Sequence, residues 1–432
     1  MAAFQKIAFT FLVFLYLFAY GIKFSGVPIS VIISLASVIY IGYCGLVPKF
    51  IFTWMSEIVL IVLIFSYLLL LESLQGNGFS FGNFSFYVIR ILFDGILPAY
   101  VLSDMAKKIK INNADFVHGL AAILIVEFIF SAMMVFSPDF KSSIFTYLND
   151  YSDQSVLMSE GLFSNRGFGI AYTYLAWFPF SVALIFTFCL FSNIVNSKTY
   201  LSLLAVAAFI LVALNARIGF IPLFIGPLIY FLFSGVQGIK NIAGSALIII
   251  LIFYAVSFFD LGDQIVALIE FFRKWVIEDG FSSLFSQQGS ETVKDLSNFK
   301  ILSDFSVSDF IFGRGDILIP EKGDLYTDVG YMQTLYIGGL VLSFSLYTLF
   351  ILFAKRLIHV IRLLCARGVI SKVFVYFPLV ICVSFLIGHA KLRIFEINEA
   401  TRFLLLIISF FIGLLEVHYS IPKLGFLKLK KT

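Results

Sequence analysis

Residues 52–71 read FTWMSEIVLIVLIFSYLLLL. One carboxylate, Glu57, interrupts an otherwise uncharged and mostly apolar run. Its length matches the ~20 residues that a helix needs to cross the hydrocarbon of a bilayer. Lipid offers no hydrogen bonds, so a run of this kind must satisfy its own amides as a helix. Comparable blocks, bounded by polar residues or by Gly and Pro, fall at 7–22, 28–47, 86–103, 116–137, 169–193, 200–214, 217–234, 242–259, 328–354, 372–388 and 402–417. The sequence therefore predicts an all-α, polytopic integral membrane protein with about twelve transmembrane helices. Composition agrees. The 432 residues are 60% hydrophobic and 13% charged, with a mean hydropathy of +1.01, against about 45–50% and about 25% in soluble domains. A porin-like barrel does not fit, because its strands alternate over ~10 residues and give no solid apolar blocks.

Orientation follows from the basic residues of short loops, which favour the cytoplasm. Lys107, Lys108 and Lys110, then Lys355, Arg356, Arg362, Arg367 and Lys372, then the lysine-rich tail to Lys431, fall on one side of this layout. The loops around Lys49, Lys198 and Lys240 agree, so both termini are expected to be cytoplasmic. The first block lacks a small-x-small cleavage site and reads as a retained helix. The chain then divides into 1–259, with spans one to nine and an external loop at 138–168; 260–327, a large external loop; and 328–432, with the last three spans and the basic tail. In 260–327 acids outnumber bases about two to one. Within it, Asp263 to Glu278 carries apolar residues at helical spacing, for a helix lying on the membrane or packed on its own loop. The net charge of +4 comes with no long basic tract, which gives no nucleic-acid reading. Cys44, Cys189, Cys365 and Cys382 form no disulfide or zinc spacing.

Three features carry chemistry. The first is a set of cations at external membrane borders: Arg166, Arg217, Arg314, Lys391, Arg393 and Arg402. Ionisable groups at such depth are costly and face a cavity or a partner. A guanidinium fork fits phosphate oxygens bidentately, so the set points to a site for an anionic headgroup; pairing of each arginine with a nearby acid or a lipid phosphate is the alternative. The second is Phe312-Gly313-Arg314-Gly315-Asp316, followed by Thr327-Asp328-Val329-Gly330-Tyr331-Met332 and Gly338-Gly339. Asp328 reads either as the cap of the tenth span or as a carboxylate that takes a proton from a sugar hydroxyl, with Tyr331 one turn along. The third is a polar loop from Gly388 to Glu399, in which His389 can shuttle a proton. There Glu396 and Glu399 are either bases or ion-pair partners. Glu57, Glu72 and Glu127, near or inside spans, read as interhelical hydrogen-bond partners. No tight acidic cluster offers itself to magnesium, so neither metal nor cofactor is expected.

Taken together, the pattern resembles the O-antigen polymerase and ligase superfamily, and most closely a Wzy-type O-antigen polymerase. The twelve-span layout carries the likeness, with Leu214-Asn215-Ala216-Arg217-Ile218-Gly219, Phe312-Gly313-Arg314-Gly315, and Asp328-Val329-Gly330-Tyr331 leading to Gly338-Gly339. Ligases of the superfamily carry a histidine at the spacing that Asp328 holds ahead of Gly339. The aspartate therefore favours polymerase over ligase, and a lipid-linked oligosaccharide flippase or other transporter is the non-enzymatic alternative. The resemblance implies a metal-independent glycosyltransferase of the bacterial inner membrane with a periplasmic active site. It would move a growing glycan from undecaprenyl pyrophosphate to the non-reducing end of a lipid-linked repeat unit. Asp328, His389 and Glu396 would serve as the catalytic set, and Arg166, Arg217, Arg314, Tyr331, Lys391 and Arg393 would bind the pyrophosphate and glycan. Implied partners are the lipid-linked oligosaccharide, membrane lipids and a polysaccharide chain-length regulator.

Overall fold

The computed structural model describes residues 2–19, 22–24, 27–74, 84–137, 139–141, 143, 177–192, 198–234, 305–315, 330–391 and 398–419. Among these the chain is helical apart from short connections and one antiparallel pair, β1 (Lys23–Phe24) with β2 (Val27–Pro28). The helices are α1 (Ala2–Leu17), α2 (Ile29–Tyr43), α3 (Val47–Leu74), α4 (Phe84–Lys108), α5 (Asn113–Phe136), α6 (Trp177–Ser192), α7 (Lys198–Asn215), α8 (Phe220–Ser234), the short α9 (Val307–Phe312), α10 (Gly330–Ala366), α11 (Phe377–Lys391) and α12 (Glu399–Tyr419). Six of them, α3, α4, α5, α10, α11 and α12, are long and apolar enough to cross a membrane. The described residues are thus predominantly helical, in keeping with an all-α, multi-pass membrane protein. Every apolar block of the sequence meets a helix except 242–259, which lies outside the described residues, as do Asp263–Glu278, Arg166, Asp328, Arg393, Glu396 and the tail.

The bundle is organised around α6, in which every residue is buried. A helix that is apolar all round belongs in an interior, and α5, α7, α8 and α12 pack against this one. Phe188 is its hub, with ring contacts to Phe116, Phe374, Phe377, Phe403 and Phe411. Such aromatic pairs add about 0.5–1.5 kcal/mol each beyond their burial. Helices α7 and α8 form an antiparallel hairpin through the 3₁₀ turn Arg217–Gly219, which comes against the Pro179 end of α6.

Ion pairs mark one end of the bundle. Lys6 meets Asp115 at 2.7 Å, while Lys49 and Lys107 both meet Glu416 at 2.7 Å. The start of α1 and the end of α12 therefore lie together with the lysine cluster that ends α4. Two boundaries differ from expectation. Lys355 to Ala366 continue α10 instead of forming a loop, because no Gly or Pro occurs until Gly368, which ends the helix at φ 70°. Its 37 residues span ~55 Å at 1.5 Å per residue, well beyond a hydrocarbon core. Likewise, Gly388 to Lys391 belong to α11.

The intramembrane acids lock helices together. Glu57, 1% exposed, accepts from Nε and Nη2 of Arg356, both at 2.7 Å, and joins α3 to α10. Trp54 covers that guanidinium at 4.8 Å. Glu72 accepts from the Ser85 amide and hydroxyl and joins α3 to α4. Removing one partner of a buried pair strands the other charge and costs about 3–5 kcal/mol. Arg356→Ala is therefore expected to lower the unfolding temperature in detergent sharply, and the double variant Arg356→Met with Glu57→Gln to recover most of the loss. Equal melting of Arg356→Ala and wild type would count against a structural role for the pair.

Candidate functional site

Two glycine motifs that lie far apart in the sequence meet in space. Helix α10 is broken at Gly338 (φ −135°, ψ 16°) and Gly339 (φ 62°, ψ −159°). The Gly339 conformation is open essentially to glycine alone. The break withdraws helical donors from the carbonyls of Tyr336 and Ile337. The amides of Arg314 and Gly315 take their place at 2.8 Å each. The short segment Gly313-Arg314-Gly315 thus plugs the gap, as the rule that buried backbone groups find partners requires. The approach is close: a Cβ on Gly313 would overlap Gly338, and one on Gly339 would overlap the Ile311 carbonyl. From α3, the Tyr67 hydroxyl lies 2.6 Å from the Phe312 carbonyl and 3.1 Å from that of Gly338, within donating distance of both sides of the junction.

The junction holds Arg314. Ser306 and Asp309 form a capping box on α9: the Ser306 hydroxyl accepts from the Asp309 amide, and the Asp309 carboxylate accepts from the Ser306 amide. That carboxylate also accepts from Arg314 Nε at 3.3 Å. The guanidinium lies over the rings of Phe305 (4.8 Å) and Tyr336 (5.8 Å), and its side chain is 30% exposed. The Ser306 amide first, with the Arg314 charge adding to it, holds the Asp309 carboxyl below its usual range. A lowered folded value means that the stabilisation is complete above the ordinary aspartate range and fades as pH falls through the folded value.

Other predicted residues line the same half of α10. Tyr331 stands in its first turn, two turns ahead of the break. His389 is buried at 2% exposure, and its ring meets Tyr347 edge-on at 5.6 Å, about two turns beyond Gly339. It is a helical interior residue and not a member of a polar loop, because the apolar run of α11 carries the helix past it. Asn398 caps α12, its side chain accepting from the Thr401 amide at 2.9 Å. This puts Glu399 (0% exposed) and Arg402 (1%) inside the bundle on the first turn of α12. Arg402 donates from Nη1 to the Tyr16 carbonyl at 3.2 Å and faces the Tyr16 ring. The turn holding Arg217 and the junction holding Arg314 lie at the same end of the bundle, opposite the lysine cluster. The backbone of Lys391 continues α11 two residues beyond His389.

No protein-family model, curated protein or solved structure matches this chain. The site is read from its own geometry. No group of three or more His, Cys, Asp or Glu side chains that could hold a metal ion occurs among the described residues.

One buried constellation escaped the sequence reading. Pro98 offers no N–H to the Asp94 carbonyl and would clash with it. The preceding turn widens into a π-helix, Ile91–Ile96, with the Leu97 amide bonded to Leu92. Asp94, 8% exposed, sits in that turn and accepts from Arg90 Nε (2.7 Å) and the Ser34 hydroxyl (2.8 Å). Its signal was legible: an aspartate with an arginine four positions earlier, both inside an apolar block and close before a proline.

Gly339→Ala is expected to open the junction, with about 1–3 kcal/mol for a backbone conformation that alanine rarely adopts and the overlap with Ile311 added. The measurable result is faster protease cleavage near Arg314 with the bundle still inserted. Unchanged cleavage would show that the two segments do not pack as described.

Proposed function

We propose that this chain is a polysaccharide polymerase of the O-antigen type, acting in the bacterial inner membrane with its site on the periplasmic side. One observation supports the reading above the others. The Gly313-Arg314-Gly315 segment is bonded into the break at Gly338-Gly339, so parts of two of the motifs that carry the resemblance form one structural unit. A cation held rigidly beside a broken membrane helix suits a charged group that must sit at the bilayer border. Preorganised charge of this kind is worth several kcal/mol where negative charge develops.

In the proposed reaction, a hydroxyl at the non-reducing end of a lipid-linked repeat unit attacks the anomeric carbon of the growing glycan. The bond from that carbon to pyrophosphate breaks through an oxocarbenium-like state. Undecaprenyl pyrophosphate leaves as the anion, held by Arg314 with Arg217 and Arg166. Lys391 and Arg393 add positive charge, and Tyr331 contacts the glycan. The proton passes to Asp328, His389 or Glu396. Arginines do the work of a divalent metal, so the reaction is expected to run in excess chelator.

The test is purified protein with a lipid-linked repeat unit. A ladder of products supports a polymerase. Transfer of finished polymer to lipid A-core supports a ligase, and movement across vesicles without new bonds supports a flippase. With a ladder in hand, Arg314→Ala is expected to abolish it in correctly inserted protein. Arg314→Lys should restore part of the activity, because lysine keeps the charge and loses the fork. A wild-type ladder from Arg314→Ala would remove Arg314 from the mechanism.

A further inference from the structure

Helices α2 and α3 are joined only by the tight turn Cys44–Leu46, yet they diverge from it and scarcely touch each other. Both instead pack on α4, which floors the gap between them. Phe86, Arg90 and Phe93 run along α4 at helical spacing. Phe86 meets Phe65 of α3 at 6.0 Å, Phe93 is 46% exposed, and Asp94 beside it meets Ser34 of α2. This stripe therefore faces the opening between α2 and α3. The walls are apolar and exposed, with Leu35 and Val38 on α2 and Val59 and Val62 on α3. Such surface belongs to lipid.

Arg90 breaks that pattern. Its side chain is 38% exposed, six residues or ~9 Å along α4 from Phe84. This is the half of the membrane opposite the lysine cluster. A charge so placed is costly unless it is used. Asp94 engages only Nε and is itself fixed by Ser34 and the π-turn. Among the described residues Asp94 is the one hydrogen-bond partner of the Arg90 side chain. The two terminal amino groups, a fork that matches two phosphate oxygens, remain for a ligand. Asp94 sets the orientation of the guanidinium through Nε, and the side chain keeps its exposure on the stripe that lies between α2 and α3.

We infer that the gap between α2 and α3 is a lateral docking site for a membrane lipid, whose phosphate is gripped end-on by Arg90 while its chains lie along α2 and α3. The site stands apart from the Arg314 junction and does not depend on the polymerase reading.

The test is native mass spectrometry of the full-length protein in detergent, with dioleoyl phosphatidic acid against dioleoyl phosphatidylcholine, whose phosphate is shielded by choline. Wild type should retain one phosphatidic acid at least tenfold more strongly than phosphatidylcholine. Inorganic phosphate at equal concentration should not displace it, which separates a lipid site from a phosphate site. Arg90→Lys should lose most of the preference. Arg90→Met combined with Asp94→Asn removes the pair together, so no buried charge is stranded, and should lose all of it. Equal retention of phosphatidic acid by wild type and the double variant, or displacement by inorganic phosphate, would overturn the proposal.

Discussion

The constraint on which the candidate site depends is the hydrogen bonding of a backbone out of reach of water. Breaking α10 at Gly338-Gly339 strands carbonyls inside a membrane protein, where each unsatisfied group costs several kcal/mol. The chain answers with Gly313-Arg314-Gly315, in which the Arg314 and Gly315 amides fill the vacancy. Every other feature of the site follows from that repair. The glycines on both sides permit the approach, Tyr67 braces the Phe312 and Gly338 carbonyls, and the capping box on α9 fixes the segment that delivers Arg314.

Charge inside the bundle follows the same economy. Glu57 with Arg356, Glu72 with Ser85, and Asp94 with Arg90 and Ser34 each tie two or more elements together. In a bilayer the apolar effect gives helices little reason to associate, and polar contacts and shape set their arrangement. Gly226 against Thr187 and Gly119 against Thr10 show the second means: small residues let helices approach until a Cβ would collide.

Much of the fold was legible because lipid makes the demand simple. A long apolar block must be a helix, and 52–71 or 116–137 admit no other reading. Boundaries were less legible. The basic stretch from Lys355 to Arg362 looked like a loop, yet charged residues extend a helix readily once it leaves the hydrocarbon. The motifs around Gly313 and Gly338 were visible as glycines that permit turns. That they bond to each other was not, because pairing between distant segments leaves no local periodicity. His389 and Glu399 were assigned to a polar connector, whereas the helices on either side simply run on and bury them. Asp94 is hard to see in the sequence because one aspartate scarcely alters the hydropathy of its block, and its only local signal is the spacing to Arg90 and Pro98.

The central claim is that α10 is broken and mended by a distant segment, and backbone hydrogen exchange reads this directly. In protein held in lipid nanodiscs, the amides of Arg314 and Gly315 should exchange as slowly as those of a packed helix, although they lie in a connection between helices. Exchange at both amides at the rate of an open loop would contradict the account.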